Sequence, residues 1–211
     1  MKRTKEQLAT SQSLLIVEER DNKNIVIGVP HHAPAGVRYL PCNPRRPADE
    51  NTGYLGYYVA EKLNCCCIIA CCYKTDVNKS RNSDYVKQIA QWNPQILVEI
   101  HGHGPKGANY DIEISGGSEL ENKHSVALAD SLRGKCSNDK ALKQLSISGD
   151  YNAIEFTAKG SATIVDDRWV SFHIELPPQL RKGKWRRGPP PTGYKFCDRL
   201  VDALREICGG R

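Results

Sequence analysis

The segment 65–73, CCCIIACCY, is the feature that most narrows the folds open to this chain. It is a short apolar run with no alternation between apolar and polar residues. Such a run is buried on both faces, as a central strand in a sheet covered on two sides. The segment 96–100, ILVEI, is a second run of this kind, interrupted only by Glu99. Helical spacing lies around them. Leu55, Val59 and Leu63 form one stripe in 51–63. Tyr85, Val86, Ile89 and Trp92 form another in 83–93, and Pro94 stops it. Segments 13–19 and 24–29 read as strands joined in a hairpin around residues 21–23. Segment 110–115 reads as a strand and 121–133 as a helix. Several short strands follow, ending in Val170–Leu176, and 194–208 reads as a last helix closed by Gly209 and Gly210. This order predicts an α/β fold with three layers, α/β/α, and a central mixed sheet, with 1–211 as a single domain. A chain of 211 residues buries a sufficient core without disulfides or a structural metal.

Nine cysteines and six histidines both offer metal ligands. Five of the nine cysteines lie at 65–67 and 71–72. Adjacent cysteines are poor disulfide partners, and no repeated CxxC pair suggests a zinc ribbon. They read as small apolar residues in a buried strand. The histidines are placed differently. His31 and His32 follow the apolar run IVIGVP, and His101 and His103 follow QILVEI. Both pairs therefore fall at carboxyl ends of strands, where ligands gather in open α/β sheets. Imidazole is the commonest metal-binding side chain, and a catalytic zinc needs about three protein ligands and an open position. Asp49 and Glu50, at the mouth of the helix at 51–63, offer a carboxylate. A carboxylate there also favours the helix dipole, so the two roles coexist.

Other chemistries are excluded or set aside. Gly102-x-Gly104-x-x-Gly107 matches a dinucleotide fingerprint, but Pro105 and the strand-like NYDIEIS follow it where a helix must open. A net charge of +6 does not announce a nucleic-acid binder. The stretch RKGKWRRG at 181–188 places five cations around Trp185 and reads as a solvated, proline-bounded loop. No run approaches the ~20 apolar residues of a membrane span, and the basic N-terminus has no signal core. A soluble, cytoplasmic protein with reduced cysteines is expected.

Four segments together carry a resemblance. They are VPHHAPAG at 29–36, ADENTGYLGYYVAEKL at 48–63, TDVNK at 75–79 and VEIHG at 98–102, with HIELPPQLR at 173–181 as a fifth. In this order the chain resembles the N-formylglutamate amidohydrolase family of zinc carboxypeptidase-like hydrolases, from about residue 29 to 175. The resemblance implies zinc held by His31, by Asp49 or Glu50, and by His101 in preference to His103. It implies that Asn78 and Lys79 hold a substrate carboxylate, with Lys79 standing where the family has an arginine and lacking that residue's bidentate fork. It implies that Glu175 is the general base. In a strand Glu99 shares a face with His101 and is placed to steady its imidazole. Glu175 lies in the apolar run FHIEL, where a carboxylate needs a partner: water on zinc, or a salt bridge to Arg181 or Arg168. Arg38, Arg45, Arg46 and Arg81 are further candidate anchors. The implied function is zinc-dependent hydrolysis of the C–N amide bond of an N-acyl, N-formylglutamate-like amino acid. The substrate is then a small acyl-amino acid or short peptide with a free carboxylate. The alternatives are a small zinc carboxypeptidase or γ-glutamyl-type peptidase, or a metal-binding or nucleic-acid-binding protein without chemistry.

Overall fold

The computed structural model describes residues 2–183 and 188–209, which build one eight-stranded mixed sheet between helices. In chain order the elements are α1 (Lys2–Leu8), β1 (Leu14–Glu18), β2 (Asn22–Ala33), β3 (Asp49–Glu50), α2 (Thr52–Leu63), β4 (Cys65–Cys71) and α3 (Asp84–Trp92). There follow β5 (Ile96–Gly102), β6 (Ile112–Ser115), α4 (Asn122–Ser137), β7 (Ile147–Ser148), β8 (Val170–Leu176), α5 (Pro178–Arg181) and α6 (Pro191–Gly209). The strand order is β1-β4-β2-β5-β8-β6-β7, with the short β3 added to β2. Strands β4, β2, β5 and β8 run parallel, and β1 and β6 run antiparallel to their neighbours β4 and β8.

Strand parity divides the core as the apolar runs predict. Cys65, Cys67 and Ile69 of β4 join Ile27, Val98, Phe172 and Ile174 under α2, α4 and α6. Cys66, Ile68 and Ala70 join Val26, Leu97 and the buried stripe of α3 on the opposite face. The cysteines of β4 are thus buried packing groups, and burial pushes the Cys67 thiol well up. Ser83 caps α3 by accepting the Val86 N–H at 3.2 Å, and Asn93 ends the helix in a left-handed conformation before Pro94.

Two expectations need correction. β1 and β2 do not form a hairpin, because β4 lies between them. A strand buried on both faces and both edges needs two partners, and Arg20 secures this one by donating to the Cys65 carbonyl at 2.7 Å as the chain leaves β1. The several short strands expected before 170 reduce to β7. The segment after β7 is held instead by side chains of the sheet. The buried Glu113 carboxylate accepts the N–H groups of Asn109 (2.7 Å), Tyr110 (3.3 Å), Glu155 (3.0 Å) and Phe156 (2.8 Å). The Ser115 hydroxyl donates to the Thr157 carbonyl at 2.6 Å. The dinucleotide reading stays excluded, since β6 is the next regular element after Gly107. Four residues of the basic loop, 184–187 with Trp185, lie outside the described residues. Among the described residues no helix is long and apolar enough to cross a membrane.

The pairing of β2 with β4 slips between Val29 and His32. Val29 and His32 both meet α2, where a regular strand would turn residues three apart to opposite faces. His32 therefore faces the helix, and His31 faces the opposite side. The His32 Nε2–H donates to the Leu8 carbonyl at 3.0 Å, and its Nδ1 accepts the Gly53 N–H at 3.0 Å. Burial drops its pKa to about 4, so it serves as a neutral packing group. A Cβ on Gly53 would stand 2.6 Å from the His32 ring. Gly53→Ala should destabilise the protein by about 1–3 kcal/mol in urea unfolding, despite alanine's better helix propensity. A gain in stability would show that His32 does not fill this space.

Candidate active site

The register of β5 on β8 sets Glu99 opposite His173 and His101 opposite Glu175. Their apolar neighbours Val98, Ile100, Phe172 and Ile174 occupy the other face. Four ionisable side chains thus share one face, at the carboxyl ends of two central parallel strands. Asp49 reaches them because β3 pairs with the end of β2, Asp49 opposite His32. Its Oδ2 lies 3.5 Å from Nδ1 of His31 and 3.5 Å from Nδ1 of His101.

Each imidazole is held from behind. His31 Nε2 donates to Asp76 Oδ1 at 2.8 Å, and Asp76 in turn pairs with the Arg46 guanidinium. His101 Nε2 donates to Glu99 Oε2 at 3.3 Å. These bonds place an N–H at Nε2 of each ring and turn each Nδ1 toward Asp49. Glu99 is fully buried and accepts three further bonds, from Tyr85 (3.0 Å), Thr163 (2.7 Å) and the Asn78 amide (3.3 Å). Burial would raise its pKa, yet His101 and these donors hold it below the usual carboxylate range. Asp49 behaves in the same way: burial opposes its charge, and the two imidazoles hold it well below the usual range. For His101 burial acts downward, and the carboxylates of Asp49, Glu99 and Glu175 reverse it, raising the pKa to about 10.

Glu175 differs. Its Oε1 lies 3.5 Å from His173 Nε2, and its buried Oε2 has no partner among the described residues. Burial lifts this carboxyl to about 7. The salt bridges weighed for it are not made. Arg168 pairs with Asp166 at 2.7 Å, and Arg181 donates to backbone carbonyls. His173 is also buried, its ring 4.1 Å from that of His101, with Nδ1 unpartnered and its pKa pushed far down by burial.

The cluster floors a cavity of about 400 Å³, lined further by Arg46, Lys79 and residues 155–160. Of the residues singled out in the sequence, His31, Asp49, Glu99, His101 and Glu175 meet here. Lys79 lines the cavity, and so does Asn78, whose amide nitrogen donates to Glu99 and to Ser161, each at 3.3 Å, while its buried Oδ1 has no partner among the described residues. Glu50 is not brought to the cluster. It turns the other way, accepting from Gly36 N–H at 3.0 Å and from Lys182 at 2.8 Å, because successive strand residues face opposite sides. His103 is also excluded, since its ring nitrogens lie 2.8 and 2.9 Å from the carbonyls of Gly104 and Asp111. Arg46 is the arginine of the four that borders the cavity; Arg45 stacks on Tyr39. Sequence reasoning missed His173 and the role of Asp76. His173 was legible by strand parity, two residues from Glu175. Asp76 stood within TDVNK but carried no signal tying it to His31.

The donor atoms of His31, Asp49 and His101 lie within 4.8 Å of one another, as do those of His101, His173 and Glu175. Two imidazole nitrogens and one carboxylate oxygen fit a zinc-type cation. No family model matches the sequence, and no curated protein does. Solved structures share the fold. A bacteriophage poly-γ-glutamate hydrolase is similar with a TM-score of 0.58 at 14% identity, covering 99% of this chain and 97% of that one. N-formylglutamate amidohydrolase from Ralstonia eutropha JMP134 gives a TM-score of 0.56 at 10% identity, covering 93% and 97%. A putative carboxypeptidase A from Shewanella denitrificans OS-217 gives 0.50 at 13% identity, covering 93% of this chain and 61% of that one.

The raised pKa of His101 links protonation to stability. Between about 6.5 and 10 the folded chain holds a proton that the unfolded chain releases. The stabilisation is complete below about 6.5 and is lost as pH rises through 10. Asp49, already ionised in both states above its ordinary value, adds no slope in this range. Protein kept metal-free with a chelator should lose about 1.4 kcal/mol per pH unit for each such proton between pH ~7 and ~8.5. His101→Asn should flatten that slope in urea titrations; an unchanged slope would place the proton elsewhere.

Proposed function

We propose that this chain is a zinc-dependent amidohydrolase that cleaves the C–N amide bond of a small N-acyl amino acid, of which N-formylglutamate is the type. The observation that carries this reading is the convergence of His31 Nδ1, His101 Nδ1 and Asp49 Oδ2 beside the unpartnered Oε2 of Glu175. His31, Asp49 and His101 would hold the cation. A zinc ion there supplies Lewis-acid polarisation of the scissile carbonyl and acidifies water.

The chain's own groups supply the rest. Asp76 and Glu99 fix both imidazole rings with their Nδ1 atoms facing inward. A carboxyl with a pKa of about 7 exchanges a proton readily near neutrality. Glu175 takes a proton from the attacking water as the new C–O bond forms. It returns that proton to the amine nitrogen as the C–N bond breaks. Lys79 and Arg46 in the cavity lining carry positive charge that suits a substrate carboxylate. Burial pushes the Lys79 ammonium down, while Asp76, Glu99 and Glu175 support its charge. Arg46 is tied to Asp76, so a substrate anion held there would also touch the support of His31.

A cavity of about 400 Å³ has room for a small acyl-amino acid. The second reading is a γ-glutamyl-type peptidase. It is favoured by the fold shared with the poly-γ-glutamate hydrolase, at a TM-score of 0.58. A screen of N-acyl amino acids against γ-glutamyl oligomers of increasing length separates the two, because only the peptidase reading predicts turnover that persists with length.

Purified protein should carry about one zinc per chain. His31→Ala, His101→Ala and Asp49→Asn should each abolish stoichiometric zinc in a metal assay, and Glu50→Gln should leave it intact. Glu175→Gln should keep the metal and lose about 10²–10⁴-fold in kcat. Zinc retained by both histidine variants would overturn the ligand assignment. Hydrolysis retained by Glu175→Gln would remove Glu175 from the mechanism.

A further inference from the structure

Among the described residues the Arg181 guanidinium has no carboxylate in contact, and the residue is almost unexposed, at 2%. The three hydrogen bonds of that guanidinium among the described residues go to backbone carbonyls. Nε donates to Leu176 at 3.0 Å, Nη1 to Glu50 at 3.1 Å and Nη2 to His103 at 2.8 Å. Those three carbonyls follow Glu175, Asp49 and His101 by one, one and two residues along the chain. One guanidinium therefore ties together the ends of β8, β3 and β5. The backbone of Arg181 extends the tie: its own carbonyl accepts from the Asn51 amide at 2.8 Å, and Asn51 N–H donates to the Ala33 carbonyl at 2.9 Å, two residues after His31. Space is reserved for this group. A Cβ on Gly102 would stand 2.2 Å from the guanidinium carbon. Gly102, part of the false dinucleotide fingerprint, is a glycine because Arg181 lies across it.

Carbonyls at strand ends need donors, and a neutral donor would meet that need without burying a charge. What a planar guanidinium adds is several N–H groups in fixed, diverging directions; a lysine ammonium is a point on a flexible stem. We propose that Arg181 is a positioning residue that sets the spacing of Asp49, His101 and Glu175 by clamping the backbone just beyond each of them. It touches neither substrate nor cation and acts only through these carbonyls. The proposal rests on the hydrolase reading for its catalytic consequence, but the clamp itself has a readout that needs neither metal nor substrate.

The test compares wild type with Arg181→Lys, Arg181→Gly and Gly102→Ala, the last of which keeps the guanidinium and displaces it. Three quantities are measured where circular dichroism shows each variant folded. They are zinc affinity by calorimetry, kcat and KM on the best substrate of the screen, and the imidazole ¹H–¹⁵N signals of His31 and His101 in metal-free protein. Displacement of reacting groups by about 1 Å costs about 10²-fold in rate, so kcat should fall on that order while KM stays within about threefold. Zinc affinity should weaken at least about tenfold, and the His101 signals should move. Guanidinium chloride, far below denaturing concentration, should restore much of the loss in Arg181→Gly, and urea or sodium chloride should not. Wild-type kcat, zinc affinity and imidazole signals in folded Arg181→Lys or Gly102→Ala would overturn the clamp. So would losses that match only the unfolded fraction and that guanidinium does not reverse. Wild-type protein that binds no zinc and hydrolyses nothing would instead overturn the hydrolase reading, and the imidazole signals alone would then decide the clamp.

Discussion

Six ionisable groups, His31, Asp49, Glu99, His101, His173 and Glu175, are buried on one face of a sheet whose other face is apolar, and each is tolerated because of its neighbours. An isolated carboxylate at any of these positions would be expelled or protonated. Glu99 stays charged because four donors surround it, and His101 because three carboxylates do. The register of β5 on β8 makes this possible, since it stacks the polar residues of both strands on one side. Glu175 sits at the edge of the network with one oxygen left over. Its proton is consequently held more tightly than that of an ordinary carboxylate, the property a general base at neutral pH requires.

Much of the architecture could be read from residues because it rests on local patterns. The apolar run at 65–73 predicts a strand that is central, and the stripe Tyr85, Val86, Ile89, Trp92 predicts a helix that packs as predicted. The pairing of β1 was not legible, since nothing local to 13–29 announces that a strand from 65–71 will enter between β1 and β2. The segment 150–168 differs from its sequence expectation for a related reason. Its backbone bonds at 155–157 go to Glu113 and Ser115, residues of another element altogether, and elsewhere it turns on itself.

The site was legible at the level of strand ends and ambiguous at the level of single residues. His31 and His32 have the same chemistry and adjacent positions, and an irregularity in the β2–β4 register decides between them. Asp49 and Glu50 are separated by the alternation of a two-residue strand too short to recognise in sequence. His101 and His103 share strand parity, but β5 ends at Gly102, and His103 is turned to carbonyls beyond it. Asp76 emerges only from the three-dimensional approach of the chain after β4 to the end of β2. Local pattern finds the neighbourhood, and tertiary pairing chooses the atom.

The bonds from Glu113 to 155–156 have a thermodynamic consequence. One wall of the cavity is assembled by the protein itself before any ligand arrives. Ordering a free backbone takes about 1–2 kcal/mol per residue, so a wall that formed only on binding would take that toll from affinity. Here it has already been met in folding, through one carboxylate of the sheet. On that side a ligand meets backbone that the sheet already holds in place. Glu113, directly across from Glu175 in the register of β6 on β8, thereby helps to shape the cavity beside it.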